Sequence, residues 1–147
     1  LGTSISVATP EGYEPNPEMV AAAKRIGRTT GAIIDITNDA QKAVTGADAI
    51  YTDVWASMGQ ESETAERAKI FAPYQVNESL FSYAAPHALF MHCLPAHRGE
   101  EVTAEVIDSP RSIVFDQAEN RMHIQKAILL LLLGSGMRTS SPRSNHA

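Results

Sequence analysis

Short β-type runs alternate with helical patterns along the 147 residues, and the chain opens directly on the first of those runs. These observations predict an α/β fold: a Rossmann-like parallel sheet with helices on both faces, incomplete at its amino-terminal side. Parallel neighbours can be joined only by crossovers, and here each crossover is supplied by a helical segment. The length suits one domain or a fragment of something larger. With 44% hydrophobic and 20% charged residues the composition is that of an ordinary globular chain, which excludes collagen-like, disulfide-rich and disordered classes.

The elements follow in order. Thr3 to Ala8 reads as the first strand. Asn16 is a candidate N-cap with Pro17 at the first helical position, and Met19, Val20, Ala23 and Ile26 repeat at helical spacing until Gly27 stops the helix. Ala32 to Ile36 is the second strand, and Asp39 to Thr45 a brief helix closed by Gly46. Ala49 to Val54 is the third, followed by a helix from Glu61 to Phe71 that Pro73 ends. Asn77 caps a short helix through Tyr83, and Leu89 to His92 is the fourth strand. Ser112 to Phe115 is a candidate fifth. The last helix starts at Asp116, three residues before Glu119 in a capping-box arrangement, and runs to Gly134. Its Leu129 to Leu133 segment is so apolar that the final turns should be buried nearly all round or packed on a neighbour. Residues 1–134 are thus read as one partial domain and Ser135 to Ala147 as a disordered tail.

Charge and cysteine usage narrow the partners. Twelve Lys and Arg against 17 Asp and Glu leave a net charge of −5, which argues against nucleic acid or an anionic membrane. The longest apolar run, Ala127 to Leu133, falls far short of the ~20 residues that span a bilayer. Cys93 is the only cysteine, so no internal disulfide or cysteine-based zinc site is expected, and a reducing, cytoplasmic setting fits. The chain begins at Leu1 without a methionine or a signal peptide, and is expected to be a piece of a longer protein cut at its amino-terminal side.

Parallel sheets bind ligands beyond the carboxyl ends of their strands, so the post-strand residues are where chemistry is expected. Neither G-x-G-x-x-G nor G-x-x-x-x-G-K-[ST] occurs there, which removes the dinucleotide and P-loop readings. Asp53, followed by Ser57, Met58 and Gly59 near a helix start, could hold an ammonium with its carboxylate and a carboxylate with hydroxyl and backbone donors; alternatively Asp53 caps its own turn and Trp55 packs inward. His92-Cys93-Leu94-Pro95 offers an imidazole and a thiol, but adjacent strand residues point to opposite faces, which disfavours a nucleophile–base pair and makes Cys93 a small buried residue. Leu94-Pro95 suggests a fixed turn presenting carbonyls, with a cis bond possible and trans the default. Arg121 could reach an anion over the strand ends, or pair with Glu119 or Glu101 at the surface; Arg98 has the same ambiguity. His97 and His123 show no metal-like spacing, and no metal or cofactor is expected.

Taken together, Ala8-Thr9-Pro10-x-Gly12-Tyr13-Glu14-Pro15, Thr52-Asp53-Val54-Trp55-x-Ser57-Met58-Gly59, His92-Cys93-Leu94-Pro95 and Ala118-Glu119-Asn120-Arg121 resemble, in order, the carboxyl-terminal half of the ornithine carbamoyltransferase family, over about Leu1 to Leu133. The resemblance implies that Asp53, Ser57 and Met58 hold the amino-acid end of L-ornithine. It also implies that Cys93 and Leu94 line the place where the δ-amine meets the carbamoyl group, and that Arg121 contacts carbamoyl phosphate. Cys93, Arg121 and His92 are the candidate catalytic residues: Cys93 as a pocket wall and not a covalent nucleophile, Arg121 on the phosphate side, His92 as a group that could polarise the carbamoyl oxygen. The family's amino-terminal domain, with its Ser-Thr-Arg-Thr-type phosphate loop, has no counterpart among these residues, so half of an active site is expected, inactive alone. A homo-oligomer, a trimer or a multiple of it, is implied. A non-catalytic amino-acid-binding module, or a carbamoyltransferase for putrescine, N-acetylornithine or aspartate, are the competing readings.

Overall fold

The computed structural model describes residues 2–56 and 64–134; Ser57 and Met58 and the expected tail lie outside them. Strand β1 (Ile5–Ala8) leads into helix α1 (Pro17–Thr30). Asn16 caps α1 as expected, its side-chain oxygen accepting from the backbone N–H of Glu18 at 2.8 Å and of Met19 at 3.3 Å. The helix does not stop at Gly27. It runs to Thr30 and is closed by Gly31 in the left-handed region (φ 80°), whose N–H donates to the Gly27 carbonyl at 2.8 Å. Gly27 has another purpose: a Cβ there would lie 2.5 Å from the Ala32 carbonyl oxygen, so only glycine lets the chain return this closely.

Strand β2 (Ile34–Thr37) pairs in parallel with β1, Ile5 opposite Ile34 and Ala8 opposite Thr37. Helix α2 (Ala40–Val44) follows, capped by Asp39 accepting from Lys42 N–H at 2.9 Å. Strand β3 (Ala49–Thr52) pairs in parallel with β4 (Leu89–His92), Ala49 opposite Leu89 and Thr52 opposite His92. Between them lie α3 (Thr64–Phe71), a 3-10 turn at Ala72–Tyr74 that contains Pro73, and α4 (Glu78–Phe81), capped by Asn77. Helices α5 (Ala104–Ile107) and α6 (Val114–Gly134) complete the described chain.

The α/β class and parallel pairing hold, with one modification: the four strands form two two-stranded sheets, β1–β2 and β3–β4. The expected fifth strand at Ser112 to Phe115 shrinks to a parallel bridge of Phe90 with Ser112. Phe90 N–H donates to Arg111 O at 2.9 Å and Ile113 N–H to Phe90 O at 3.0 Å, after which Val114 turns inward and starts α6 two residues before Asp116. The sequence did not announce the four-residue helix α5, because a single turn is too short for an apolar repeat to show.

The core is a cluster of Ile50, Val76, Phe81, Ala88, Phe90, Val102, Val106, Ile107 and Val114. Phe81 and Phe90 meet edge to face, centroids 6.5 Å apart, and the Arg111 guanidinium lies 4.1 Å from the Phe81 ring centroid. Outside this cluster, the Tyr74 hydroxyl reaches both Thr9 O at 2.8 Å, just past β1, and Asn38 O at 2.6 Å, just past β2.

Residues up to Val114 form one compact unit, and α6 from Phe115 onward belongs to a second. On α6 the leucines 129–133 are 56–74% exposed, which removes the first of the two expected alternatives, burial all round, and leaves packing on a neighbour. Among the described residues, no helix is long and apolar enough to cross a membrane.

Candidate functional site

The register of β3 on β4 decides which post-strand residues meet. Thr52 stands opposite His92, so the chain leaves both strands side by side and the next residues, Asp53 and Cys93, become neighbours. The Cys93 thiol donates to Asp53 Oδ1 at 3.0 Å, and the same oxygen accepts from Val54 N–H at 2.7 Å. The turn-capping reading of Asp53 is therefore present, and its carboxylate also faces the thiol, a contact that neither sequence reading named. Burial pushes the Cys93 thiol up from its ordinary range, the bond to Asp53 adds to this, and a bond from Tyr51 opposes it. A thiol so placed stays protonated at neutral pH, as a pocket wall does and a thiolate nucleophile does not.

Strand alternation sends His92 the other way, into the fold, where it is 1% exposed. Its Nδ1 accepts from Leu94 N–H at 2.8 Å, so in the neutral ring the proton belongs on Nε2, which lies 3.2 Å from Glu101 Oε1. Both ring nitrogens are thus turned toward protein groups. The expectation that His92 polarises a substrate oxygen meets a ring facing the interior, where it props the turn that follows β4.

That turn carries the least ordinary backbone among the described residues: Leu94 has φ 56°, and the Leu94–Pro95 bond is cis where trans was the default. A non-glycine residue in this region costs about 1–3 kcal/mol and persists only where its surroundings dictate it. Here the His92 bond and the packing of the Leu94 side chain on the core do so.

Glu101 is the residue the sequence undervalued. Considered there only as a surface partner for Arg121, it is fully buried. Its Oε1 accepts from His97 N–H at 2.6 Å besides facing His92, and Oε2 lies 3.8 Å from His97 Nδ1. His97 thus has a partner that its spacing in the sequence did not announce. An acidic residue beside Val102 in a post-strand segment was the available signal, but its burial depends on the bridge between Val76 and Val102, a non-local pairing.

Arg98 resolves its ambiguity by forking onto Asp108, at 2.7 and 3.2 Å, which holds the Asp108 carboxyl below its ordinary value. Arg121 is exposed on α6, in the second unit, where His123 meets Glu119 at 3.3 Å. Ser57 and Met58 lie outside the described residues. An aromatic group that the sequence did not announce gathers around Phe71, which packs edge to face on Tyr13 (4.9 Å) and tilts against Trp55 (6.3 Å) and Tyr74 (6.4 Å), with the Arg67 guanidinium 5.4 Å from the Tyr13 centroid.

Residues 1–132 match the family model described as aspartate/ornithine carbamoyltransferase, Asp/Orn binding domain. The chain is 60% identical over 133 residues to an ornithine carbamoyltransferase of Geobacillus stearothermophilus, covering 90% of this chain and 43% of that protein. It is 58% identical over 134 residues to one of Thermococcus kodakarensis, covering 91% and 42%. Among solved structures, ornithine carbamoyltransferase from Pyrococcus furiosus superposes with a TM-score of 0.83 at 58% identity, over 88% of this chain and 41% of that one. The chain therefore spans less than half the length of the relatives it matches.

Proposed function

The chain belongs to the aspartate/ornithine carbamoyltransferase family, and from that premise we propose that it is the ornithine-side half of an ornithine carbamoyltransferase. The observation that carries the reading is the Asp53–Cys93 contact at the ends of the paired strands β3 and β4. In the reaction, the neutral δ-amine of L-ornithine attacks the carbamoyl carbon of carbamoyl phosphate. A C–N bond forms, the C–O bond to phosphate breaks with its electron pair, the amine gives up a proton, and citrulline and phosphate leave.

Each residue then has a part. Asp53 pairs with the α-ammonium of ornithine, and Ser57 and Met58 hold the same end. Cys93, kept as a neutral thiol by burial and by Asp53, and Leu94 line the approach of the δ-amine without covalent participation. His92 and Glu101 fix the Leu94 turn and act as positioning residues. Arg121 takes the phosphate side, where positioning and charge stabilisation supply the acceleration. The remaining length of the relatives corresponds to a carbamoyl-phosphate domain, and the working enzyme is a cytoplasmic homo-oligomer built on trimers.

Steady-state kinetics of the full-length protein with both substrates varied test this reading. Asp53→Asn should weaken use of ornithine by about 2–4 kcal/mol, the scale for breaking one desolvated charge pair, and leave the requirement for carbamoyl phosphate nearly unchanged. An unchanged KM for ornithine overturns the role of Asp53. Preferred turnover of putrescine, N-acetylornithine or aspartate in competition overturns the choice of acceptor.

A further inference from the structure

We propose that His97, Glu100 and Glu101 form a binding site for a divalent transition-metal ion, of the kind that imidazole and carboxylate ligands share. One ligand atom from each of the three residues lies within 4.8 Å of the other two. Proximity of acidic groups alone says little, and the argument rests on Glu101. Its side chain is fully buried and its Oε2 has no hydrogen-bond partner. A buried carboxylate oxygen in that state carries a desolvation cost that a cation would relieve.

The nearest candidate is His97 Nδ1, 3.8 Å from Oε2. That separation is too long for a hydrogen bond. It is close to the spacing of two ligands on one ion: atoms about 2.0–2.2 Å from a tetrahedral metal stand about 3.4 Å apart. Exposed His97 and Glu100 leave the ion a route from solvent, with water free to complete its shell.

The backbone holds the three residues ready. Glu100 N–H donates to His97 O at 3.0 Å and Gly99 N–H to Val102 O at 2.8 Å, with Gly99 in the left-handed region (φ 89°) that the tight turn needs. The Gln75 side-chain amide ties the turn from outside, donating to Gly99 O at 2.9 Å and Glu100 O at 2.7 Å. Behind the site, Glu101 Oε1 accepts from His97 N–H and faces His92 Nε2, so the ligating carboxylate is oriented by groups that do not touch the ion. One imidazole and two carboxylates suit Zn2+ or Co2+ better than a soft, thiol-seeking ion.

Co2+ titration of the chelator-stripped full-length protein, followed by its visible absorption, tests this without any substrate. One equivalent should bind. His97→Ala should weaken binding at least ~10-fold, since losing a ligand costs no less than losing one of its supports. Glu100→Ala, also on the exposed side, provides a second variant should the first disturb the fold, and Cys93→Ser should leave binding unchanged. Failure of Co2+ to bind overturns the proposal. So does binding that survives both His97→Ala and Glu100→Ala, or binding that is lost in Cys93→Ser, which would move the ion to the thiol beside Asp53.

Discussion

The β1–β2 and β3–β4 pairs are built alike and buried unlike. Each is a parallel ladder of four facing residues, with a helix in its crossover. Every hydrophobic residue of the buried core nevertheless lies between Ile50 and Val114, while among the described residues of the first 49 only Pro10 and Gly27 are buried. Strand pairing by itself therefore does not bury a sheet; side chains closing over the strands do. Asp53, His92, Cys93 and Leu94 all leave the ends of the pair whose inner residues, Ile50 and Phe90, are locked in that core. Reactive groups set on such a scaffold are held in place more strictly than on mobile loops.

The comparison breaks most readily at Phe90. Phe90→Ala should destabilise the chain by about 3–5 kcal/mol in urea unfolding, because a fully buried ring is replaced by a cavity that close neighbours cannot fill. Gly27→Ala comes next. Alanine is the better helix former by about 1 kcal/mol, yet its methyl would drive into the Ala32 carbonyl, so a net loss of about 1–3 kcal/mol is expected. Ile5→Ala in β1, at a half-exposed position, should cost under ~1 kcal/mol. If Ile5→Ala and Phe90→Ala shift the midpoint equally, the two sheets contribute alike to stability and the contrast is wrong.

The smallest effect is a rate. Burial and Asp53 raise the Cys93 thiol, so its alkylation by iodoacetamide should show an inflection at higher pH in the folded protein than in urea. The corresponding stability, present below the unfolded thiol's value, is lost as pH rises through the folded one. An inflection equal to that of the unfolded chain would remove the effect of burial and Asp53, and one below it would make Cys93 an activated thiol.

Local signals made much of this legible. The caps at Asn16 and Asn77, the four strands, and the placing of Asp53 and Cys93 at strand ends all follow from short-range chemistry. Alternation along β4 also foretold that His92 and Cys93 would part company. What stayed hidden depends on contacts that exist only once the chain is folded. Gly27 looks like a stop until Ala32 is seen against it, Ser112 to Phe115 looks like a strand until Val114 is drawn inward, and Glu101 looks like a surface charge until Val76 pairs over Val102.

Tyr74 gives the two halves a common alkaline limit. A phenol owns one hydrogen, and here it serves two carbonyls, Thr9 past β1 and Asn38 past β2, from the crossover that joins β3 to β4. Burial raises the phenol, and the negative charges of Asp39 and Glu14 raise it further. What it contributes is therefore whole below the ordinary tyrosine range of about 10 and fades only as pH climbs through the elevated folded value. Past that point an oxyanion would face two acceptors with nothing to offer them, and attraction would become repulsion at an atom where three chain segments converge.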